Sequence, residues 1–242
     1  MPTVSQTPAD LERTRWLRQQ VLFLLVGAGV LLVLFEGTAL DLALQSRFYD
    51  AATRGFPLQH HWFFDRVLHH GLKSTAYGLA LLSLVLCVLG WRGRLDFLPR
   101  RQAALAATGL VLIPLLTSVL KHLTNRHCPW DVLDFGGYAP HISLFVSTAA
   151  DLKRGVCFPA GHASAGYMWL IWAPALRATR PRWALGWGAF GILAGLVLGG
   201  GRIAQGAHFL SHVLWSGWFA WFLCVMLVAL FRTPVRAPAP AR

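Results

Sequence analysis

The chain has 242 residues, of which 55% are hydrophobic and 13% are charged, and its formal net charge is +12. Soluble globular domains carry about 25% charged residues, so this composition excludes an ordinary soluble protein. The basic residues bracket long apolar runs and do not gather on one polar face. This pattern indicates a membrane topology, and we expect the phospholipid bilayer, not a nucleic acid, as the partner of this charge.

Six apolar runs follow one another along the chain, each close to the length that crosses a bilayer. They lie near Val21–Phe35, Ala76–Trp91, Ala103–Leu120, His162–Leu176, Trp183–Gly201 and Phe209–Phe231. Flanking Trp, Tyr and Arg side chains extend the shorter runs to the interface. The sequence therefore predicts an all-α fold, a polytopic bundle of about six transmembrane helices. We expect this bundle to occupy residues 1–231 and a disordered tail to occupy residues 232–242.

Thirteen arginines fall on one side of the membrane if six spans alternate. They are Arg13, Arg15, Arg18, Arg92, Arg94, Arg100, Arg101, Arg177, Arg180, Arg182, Arg232, Arg236 and Arg242. The positive-inside rule makes this side cytoplasmic. The sequence thus predicts a multi-pass protein of the bacterial inner membrane with both termini in the cytoplasm. The outer loop 121–161 then lies in the periplasm.

Three polar stretches lie at span ends on that outer side. They are KHLTNRHCPWD from Lys121, FPAGHASAG from Phe158 and GGGRIAQGAHFLSH from Gly199. Together they supply Lys121, Arg126, Arg202, His162, His208 and His212. Arginine binds phosphate oxygens with two hydrogen bonds, and lysine adds a point charge. The PAGH stretch also opens a helix, so the free N–H groups from Gly161 onwards favour the same anion. We therefore expect a periplasmic site for a phosphate ester.

These stretches resemble the motifs of the type 2 phosphatidic acid phosphatases, which share a helical fold with the vanadium haloperoxidases. PAGH is similar to the Pro-Ser-Gly-His motif of that family, and Lys121 to Pro129 is similar to its first motif. Arg202, followed after five residues by His208, is similar to the third motif.

The resemblance implies a lipid phosphatase that works in two steps without a metal or another cofactor. His208 would attack phosphorus and form a phosphohistidine. His162 would protonate the leaving oxygen and then activate water. Lys121 and Arg202 would hold and neutralise the phosphoryl oxygens.

Two positions depart from the family pattern. Cys128 stands where the first motif has an arginine, and we expect Arg126 to replace that charge, with His127 as a further phosphate contact. His212 stands where the third motif has an aspartate that orients the nucleophile. At a helical spacing of four, His212 would lie beside His208, and a neutral ring could accept a hydrogen bond from it and fix its tautomer.

The four cysteines divide into two pairs by position. Cys87 and Cys224 fall inside predicted spans, where we expect them to pack as small apolar residues. Cys128 and Cys157 share the outer segment, where an oxidising compartment favours a disulfide between them. Two free thiols or a pair of metal ligands remain the alternatives.

The expected substrate is a phosphorylated membrane lipid, either a phosphomonoester or a pyrophosphate. A lipid-to-lipid phosphotransferase would use the same phosphohistidine. A non-catalytic lipid-phosphate binder is a further alternative, favoured by the two departures. A metal-dependent hydrolase could use the i, i+4 pair of His208 and His212. The glutamate that usually follows the first histidine of such a pair is absent, so we expect no metal.

Overall fold

The structure, a computed structural model, describes residues 7–146, 149 and 151–236. Within these residues the chain forms eight α-helices and no β-strand. They are α1 (Pro8–Glu36), α2 (Leu40–Gln45), α3 (Leu72–Trp91), α4 (Arg100–Leu123), α5 (Gly161–Tyr167), α6 (Trp172–Leu176), α7 (Pro181–Ala204) and α8 (Leu210–Phe231). Short 3-10 turns occur at Ser46–Phe48, Pro129–Asp131, Leu133–Phe135 and Met168–Ile171, and a π-helical segment occurs at Phe63–Gly71.

Among the described helices, α1, α3, α4, α7 and α8 are long and apolar enough to cross a membrane. The all-α membrane bundle is confirmed, but the described residues contain five helices of spanning length and not the predicted number of about six. The fourth predicted run, His162–Leu176, forms a central segment in three pieces: α5, the 3-10 turn Met168–Ile171 and α6. Pro174 lies in α6, and a proline cannot donate the backbone hydrogen bond to the residue four positions earlier. This proline lies in the first turn of α6, where a proline is tolerated, and the 3-10 turn immediately precedes α6.

The central segment is almost wholly buried and crosses the bundle. A Cβ on Gly166 of α5 would lie 2.3 Å from the backbone nitrogen of Gly195, so α5 packs directly on the backbone of α7. Beyond α6, the hydroxyl of Thr179 donates to the carbonyl oxygen of Phe97 at 2.7 Å, next to the start of α4. The segment therefore runs from the end of the bundle where α4 finishes, called the site end here, to the opposite end.

The two termini of the described chain meet at that opposite end. Arg236, beyond α8, forms a 3.0 Å ion pair with Glu12 in the first part of α1. Thr233 and Val235 are buried. Residues 237–242 lie outside the described residues, so the disordered tail predicted for residues 232–242 stays a prediction.

Helix α1 packs against α8, and two tryptophan side chains of α8 donate hydrogen bonds to α1. The indole nitrogen of Trp218 donates to the carbonyl oxygen of Leu24 at 2.9 Å, and that of Trp221 donates to Oε1 of Gln20 at 3.1 Å. The other face of α1 exposes large apolar side chains, including Leu22, Phe23, Leu25, Val26 and Val33. Such a surface suits contact with lipid chains and would be costly in water.

Candidate active site

His208 lies in the short turn between α7 and α8, and its side chain is buried. The turn contains Gly206, whose φ of +74° lies in the left-handed region that favours glycine. Phe56 packs so closely here that a Cβ on Gly206 would lie 2.3 Å from its Cδ2 atom. The glycine and its aromatic neighbour therefore fix the path of the chain that presents His208.

His162 is the second residue of α5 and lies near His208. The centroids of the two rings are 6.4 Å apart. The start of α5 is tied to α8, because the N–H of Ala160 donates to the carbonyl oxygen of His212 at 3.2 Å. At this separation both imidazoles can reach one phosphoryl group, as a nucleophile and a proton donor must.

A cavity of about 320 Å³, called the site cavity, lies beside His162 at the site end. Its polar wall contains Lys121 from the last turn of α4, Gly161 from the first residue of α5, and His162. The other lining residues are Tyr77, Pro114, Ser118, His122, Val156, Ser164, Ala165 and Leu198. Because α3, α4 and α7 contribute to this lining, the cavity extends from the helix ends into the apolar part of the bundle.

Arg202 lies in the last turn of α7 and is held from two sides. Its guanidinium carbon is 5.7 Å from the centroid of the Trp130 ring, and its Nη1 donates to Oε1 of Gln205 at 2.8 Å. Gln205 is itself buried, and its Nε2 donates to the carbonyl oxygen of Gln59 at 3.0 Å. The cation–π contact and the hydrogen-bonded chain therefore orient the arginine within the protein.

The electrostatic environment keeps His208 neutral. Burial lowers the pKa of His208 well below its usual range, and four neighbouring groups act in the same direction. In decreasing order of effect they are His212, Lys121, His162 and Arg202. Side chains from α4, α5, α7 and α8 thus act on one ring. A neutral imidazole has a free nitrogen lone pair, which nucleophilic attack requires.

Cys128 and Cys157 are joined by a disulfide, and the Cys157 sulfur touches His208. The distance from Sγ to Nδ1 of His208 is 3.3 Å. A sulfur atom in a disulfide carries no proton, so this contact is a hydrogen bond only in the tautomer in which the Nδ1–H group donates to it. In that tautomer the lone pair of the ring lies on Nε2.

His212 lies in the first turn of α8, with its ring centroid 5.9 Å from that of His208. Phe158 and Phe209 flank it at centroid distances of 5.3 and 5.4 Å, and the ring is hydrogen-bonded to the backbone of Cys157. Its Nδ1 has no hydrogen-bond partner. His212 lies beside His208 as the sequence predicts, while Nδ1 of His208 lies against the Cys157 sulfur; that His212 sets the tautomer of His208 stays a prediction. The spacing argument assumes a continuous helix, whereas α8 begins after His208.

Arg126 and His127 lie in the loop that follows α4 and contact carbonyl oxygens of that loop, although Nε of Arg126 and Nδ1 of His127 are buried without a hydrogen-bond partner. Nη1 of Arg126 donates to the carbonyl oxygen of Val146 at 2.9 Å, and Nη2 donates to that of Leu144. Nε2 of His127 is 2.8 Å from the carbonyl oxygen of Lys153. Of the residues described, neither lines the site cavity, and neither do Arg202 and His208. The contacts that the structure gives Arg126 and His127 are to loop carbonyls, which need donors when buried, and their contacts with a phosphate stay a prediction.

Two carboxylates that the sequence analysis did not single out hold the segments around the site. Asp41 of α2 is buried and accepts a hydrogen bond from the backbone N–H of Ser211, in the first turn of α8, at 3.0 Å. Burial raises the pKa of Asp41. Glu36, at the end of α1, accepts from the backbone N–H of Leu144 at 2.9 Å. The sequence contains one signal that could have identified Asp41. It lies in the apolar stretch LDLALQ, and a carboxylate in such a stretch needs a hydrogen-bond partner when it is buried.

One cluster of described residues has the ligand types of a metal site. Ligand atoms of Cys157, His208 and His212 all lie within 4.8 Å of one another. The thiolate is the form of cysteine that binds metals, and Cys157 is in a disulfide. In this redox form the cluster offers two imidazoles, one ligand fewer than the usual catalytic zinc set.

The family model described as the PAP2 superfamily matches residues 102–236, more than half of the chain. No curated protein and no solved structure matches the chain significantly. The matched range begins in α4 and contains all three polar stretches from Lys121 to His212.

Proposed function

Because the chain belongs to the PAP2 superfamily, we propose that it is a membrane phosphatase that hydrolyses a phosphomonoester or pyrophosphate of a lipid. Family membership supports the coarser statement, a phosphatase that acts on phosphate esters. The apolar helices indicate a multi-pass membrane protein. The lipid substrate, the phosphohistidine at His208 and the side of the membrane are our proposals.

The shape of the site cavity is the observation that carries the lipid assignment. Its polar wall includes Lys121 and His162, whereas Pro114 and Leu198 belong to its apolar wall. Pro114 precedes Lys121 by seven residues in α4, which corresponds to about 10 Å along a helix. A phosphate bound between the cations would therefore leave its organic group among apolar side chains, below the helix ends. A lipid chain fits that environment, and a small polar alcohol does not.

The first step transfers the phosphoryl group to the protein. Nε2 of His208 attacks phosphorus, a P–N bond forms, and the P–O bond to the lipid breaks. His162 gives a proton to the leaving oxygen, so that the lipid departs without a new charge on that oxygen. Lys121, Arg202 and the N–H group of Gly161 stabilise the charge that spreads over the remaining phosphoryl oxygens.

The second step releases inorganic phosphate and restores the site. His162, now neutral, removes a proton from a water molecule, and the water oxygen attacks phosphorus. The P–N bond breaks, and its electron pair returns to Nε2 of His208. We propose no cofactor for either step, because side-chain cations already neutralise the phosphoryl oxygens.

We propose that the site faces the periplasm of a bacterial cell and that both termini are cytoplasmic. Three arginines border a cavity at the end of the bundle opposite to the site, namely Arg15, Arg177 and Arg236. Basic residues concentrate in cytoplasmic connections, so we assign this end to the cytoplasm. The ion pair between Arg236 and Glu12 is consistent with the two termini lying on the same side.

The test measures phosphate release by the purified protein in detergent. The substrates share one phosphate head and differ in chain length. We expect kcat/KM to rise with chain length and a soluble phosphomonoester to be the poorest substrate. Equal kcat/KM values for the soluble and lipid substrates would contradict the lipid assignment. Phosphate release that requires a second lipid as acceptor would identify a phosphotransferase instead.

A matched pair of variants tests the cavity itself. Leu198→Trp should fill the apolar wall of the site cavity and shift the preference toward shorter chains. Leu196→Trp adds the same bulk to a more exposed position of α7 and should keep the original preference. The same chain-length profile in both variants would show that the substrate chain does not occupy this cavity.

A further inference from the structure

We propose that reduction of the disulfide converts the centre of this site into a zinc site with four ligands, Cys128, Cys157, His208 and His212. Two thiolates and two imidazoles form a set that zinc prefers, in tetrahedral geometry. Metal binding follows from the arrangement of these side chains. Its consequence for catalysis rests on the proposed function.

The distances in the disulfide form are already close to those of a chelate. Ligand atoms of Cys157, His208 and His212 lie within 4.8 Å of one another, and Sγ of Cys157 is 3.3 Å from Nδ1 of His208. Ligand atoms around a tetrahedral zinc ion lie about 3.3–3.8 Å apart, given the usual Zn–S and Zn–N bond lengths. The Cα atoms of Cys128 and Cys157 are 5.2 Å apart, so both thiolates stay neighbours after the S–S bond breaks.

The surroundings also fit a closed metal site. Nδ1 of His212 is buried and has no hydrogen-bond partner, and a buried nitrogen lone pair without a partner is one that a cation can satisfy. The rings of Phe158 and Phe209 flank His212, which limits its movement. Cys157 is fully buried. Ligands that are oriented in advance and screened from water are typical of structural zinc sites.

The conversion requires a dithiol as reductant. A dithiol supplies two electrons and two protons: the S–S bond of Cys128 and Cys157 breaks, two thiols form, and the dithiol closes to its own disulfide. Zinc then displaces the two thiol protons to solvent and binds both sulfur atoms. When Nδ1 of His208 binds the ion, the ring proton moves from Nδ1 to Nε2, and His212 binds through a nitrogen lone pair without losing a proton.

Zinc at this position would block the proposed phosphatase. If the ion takes Nδ1 of His208, the proton of the neutral ring must lie on Nε2. Nε2 then has no lone pair with which to attack phosphorus. After reduction in the presence of zinc, His208 should therefore bind the metal and no longer act as the nucleophile.

The experiment measures zinc binding directly, by competition with a chromophoric chelator. The protein carries Cys87→Ser and Cys224→Ser, so that only the disulfide pair can react. The protein is reduced with a dithiol, and the dithiol is then removed in the absence of oxygen. We expect the reduced protein to bind one zinc ion per chain. The affinity should exceed that of the oxidised protein by about 100-fold or more. Cobalt in place of zinc should give thiolate-to-cobalt absorption. Equal affinities of the reduced and oxidised forms would overturn the proposal.

Two single variants serve as a matched pair that needs no reductant. Cys128→Ser and Cys157→Ser both remove the disulfide, so both variants should lose the same amount of stability. Equal melting temperatures of the two variants would verify that the loss is shared. Cys128→Ser keeps the sulfur beside His208 and should bind zinc through three ligands, whereas Cys157→Ser should bind it at least about tenfold more weakly. Equal binding by the two variants would contradict the geometry.

Phosphate release is measured separately, so that the two proposals can fail independently. Zinc content does not depend on catalysis and tests the metal site even in a protein without phosphatase activity. Loss of activity on adding zinc to the reduced form, with recovery after chelation and reoxidation, would support the catalytic consequence. A reduced protein that holds zinc and keeps full activity would contradict that consequence alone.

Discussion

The site has two parts, and different contacts hold them in place. The helix-end group consists of Lys121, His162, Arg202 and His208, which lie at the ends of α4, α5 and α7 and in the turn before α8. The loop group consists of Arg126, His127, Cys128 and Cys157, which lie between α4 and α5. Helix packing positions the first group. Backbone hydrogen bonds and the disulfide position the second. We therefore propose that the helix ends supply the groups that bind a phosphate and that the loop orients those groups.

The largest effect is expected from Arg202 of the helix-end group, compared with Arg154, which lies in the same loop as the loop group. Arg202→Ala should lower kcat/KM for a lipid phosphate by about 10²–10³-fold, because the charge that neutralises the phosphoryl oxygens is lost. Arg154→Ala removes a loop arginine that contacts the carbonyl oxygen of His122, and it should stay within about threefold of the parent in the same assay. Equal losses in the two variants would remove the distinction between helix ends and loop.

Arg126→Ala should act mainly on stability. Its guanidinium donates to the carbonyl oxygens of Leu144 and Val146. Losing these bonds should lower the free energy of unfolding by about 1–3 kcal/mol, measured by denaturation in detergent. Activity of the folded protein should fall far less than in Arg202→Ala. A drop in kcat/KM as large as that of Arg202→Ala, at a temperature where both proteins are folded, would mean that Arg126 binds the phosphate.

Trp130 connects the two groups, since it lies in the loop and contacts Arg202. Trp130→Ala should reduce kcat by about two- to tenfold, because the guanidinium loses one of the contacts that orient it. Trp130→Phe keeps an aromatic face and should recover most of that loss. If both variants lower kcat equally while their melting temperatures fall, the indole supports the fold and does not orient the arginine.

The smallest effect concerns pH. Burial and the charges around it lower the pKa of His208, so the ring stays neutral as the pH falls. The activity limb due to His208 should therefore lie on the acid side of the usual histidine range. Lys121→Met removes one of the charges that lower this pKa, which should rise, and the residual activity should decline at a higher pH. A variant with an unshifted acid limb would show that His208 does not set the limb.

The helix-end group could be predicted because its residues are marked by local patterns. Apolar runs end where cations begin, so Lys121 and Arg202 were expected at span ends, and they lie in the last turns of α4 and α7. PAGH opens α5 as predicted, with Gly161 as its first residue. The family match over residues 102–236 confirms the resemblance on which the roles depend.

The disulfide of the loop group was expected from the shared outer segment of Cys128 and Cys157 and is present in the structure. The other contacts of the loop group could not be predicted, because their partners are distant in sequence. Arg126 donates to carbonyls 18 and 20 residues away, and Cys157 touches a histidine 51 residues away. No local spacing encodes such contacts. The number of spans was predicted wrongly for another reason. The run His162–Leu176 is apolar enough to suggest one long helix, but hydropathy does not report whether a helix is continuous, and the run forms three short pieces.

The measurement that tests the account most directly is the chemical trapping of the intermediate. The purified protein would be mixed with a lipid carrying a labelled terminal phosphate and quenched in alkali within one turnover. Label that is stable in alkali and labile in acid is the signature of a phosphohistidine. We predict this label on His208, its absence in His208→Ala, and normal labelling in His60→Ala, a matched exposed histidine. Phosphate release by His208→Ala at the parental rate, or label on another residue, would contradict the central claim.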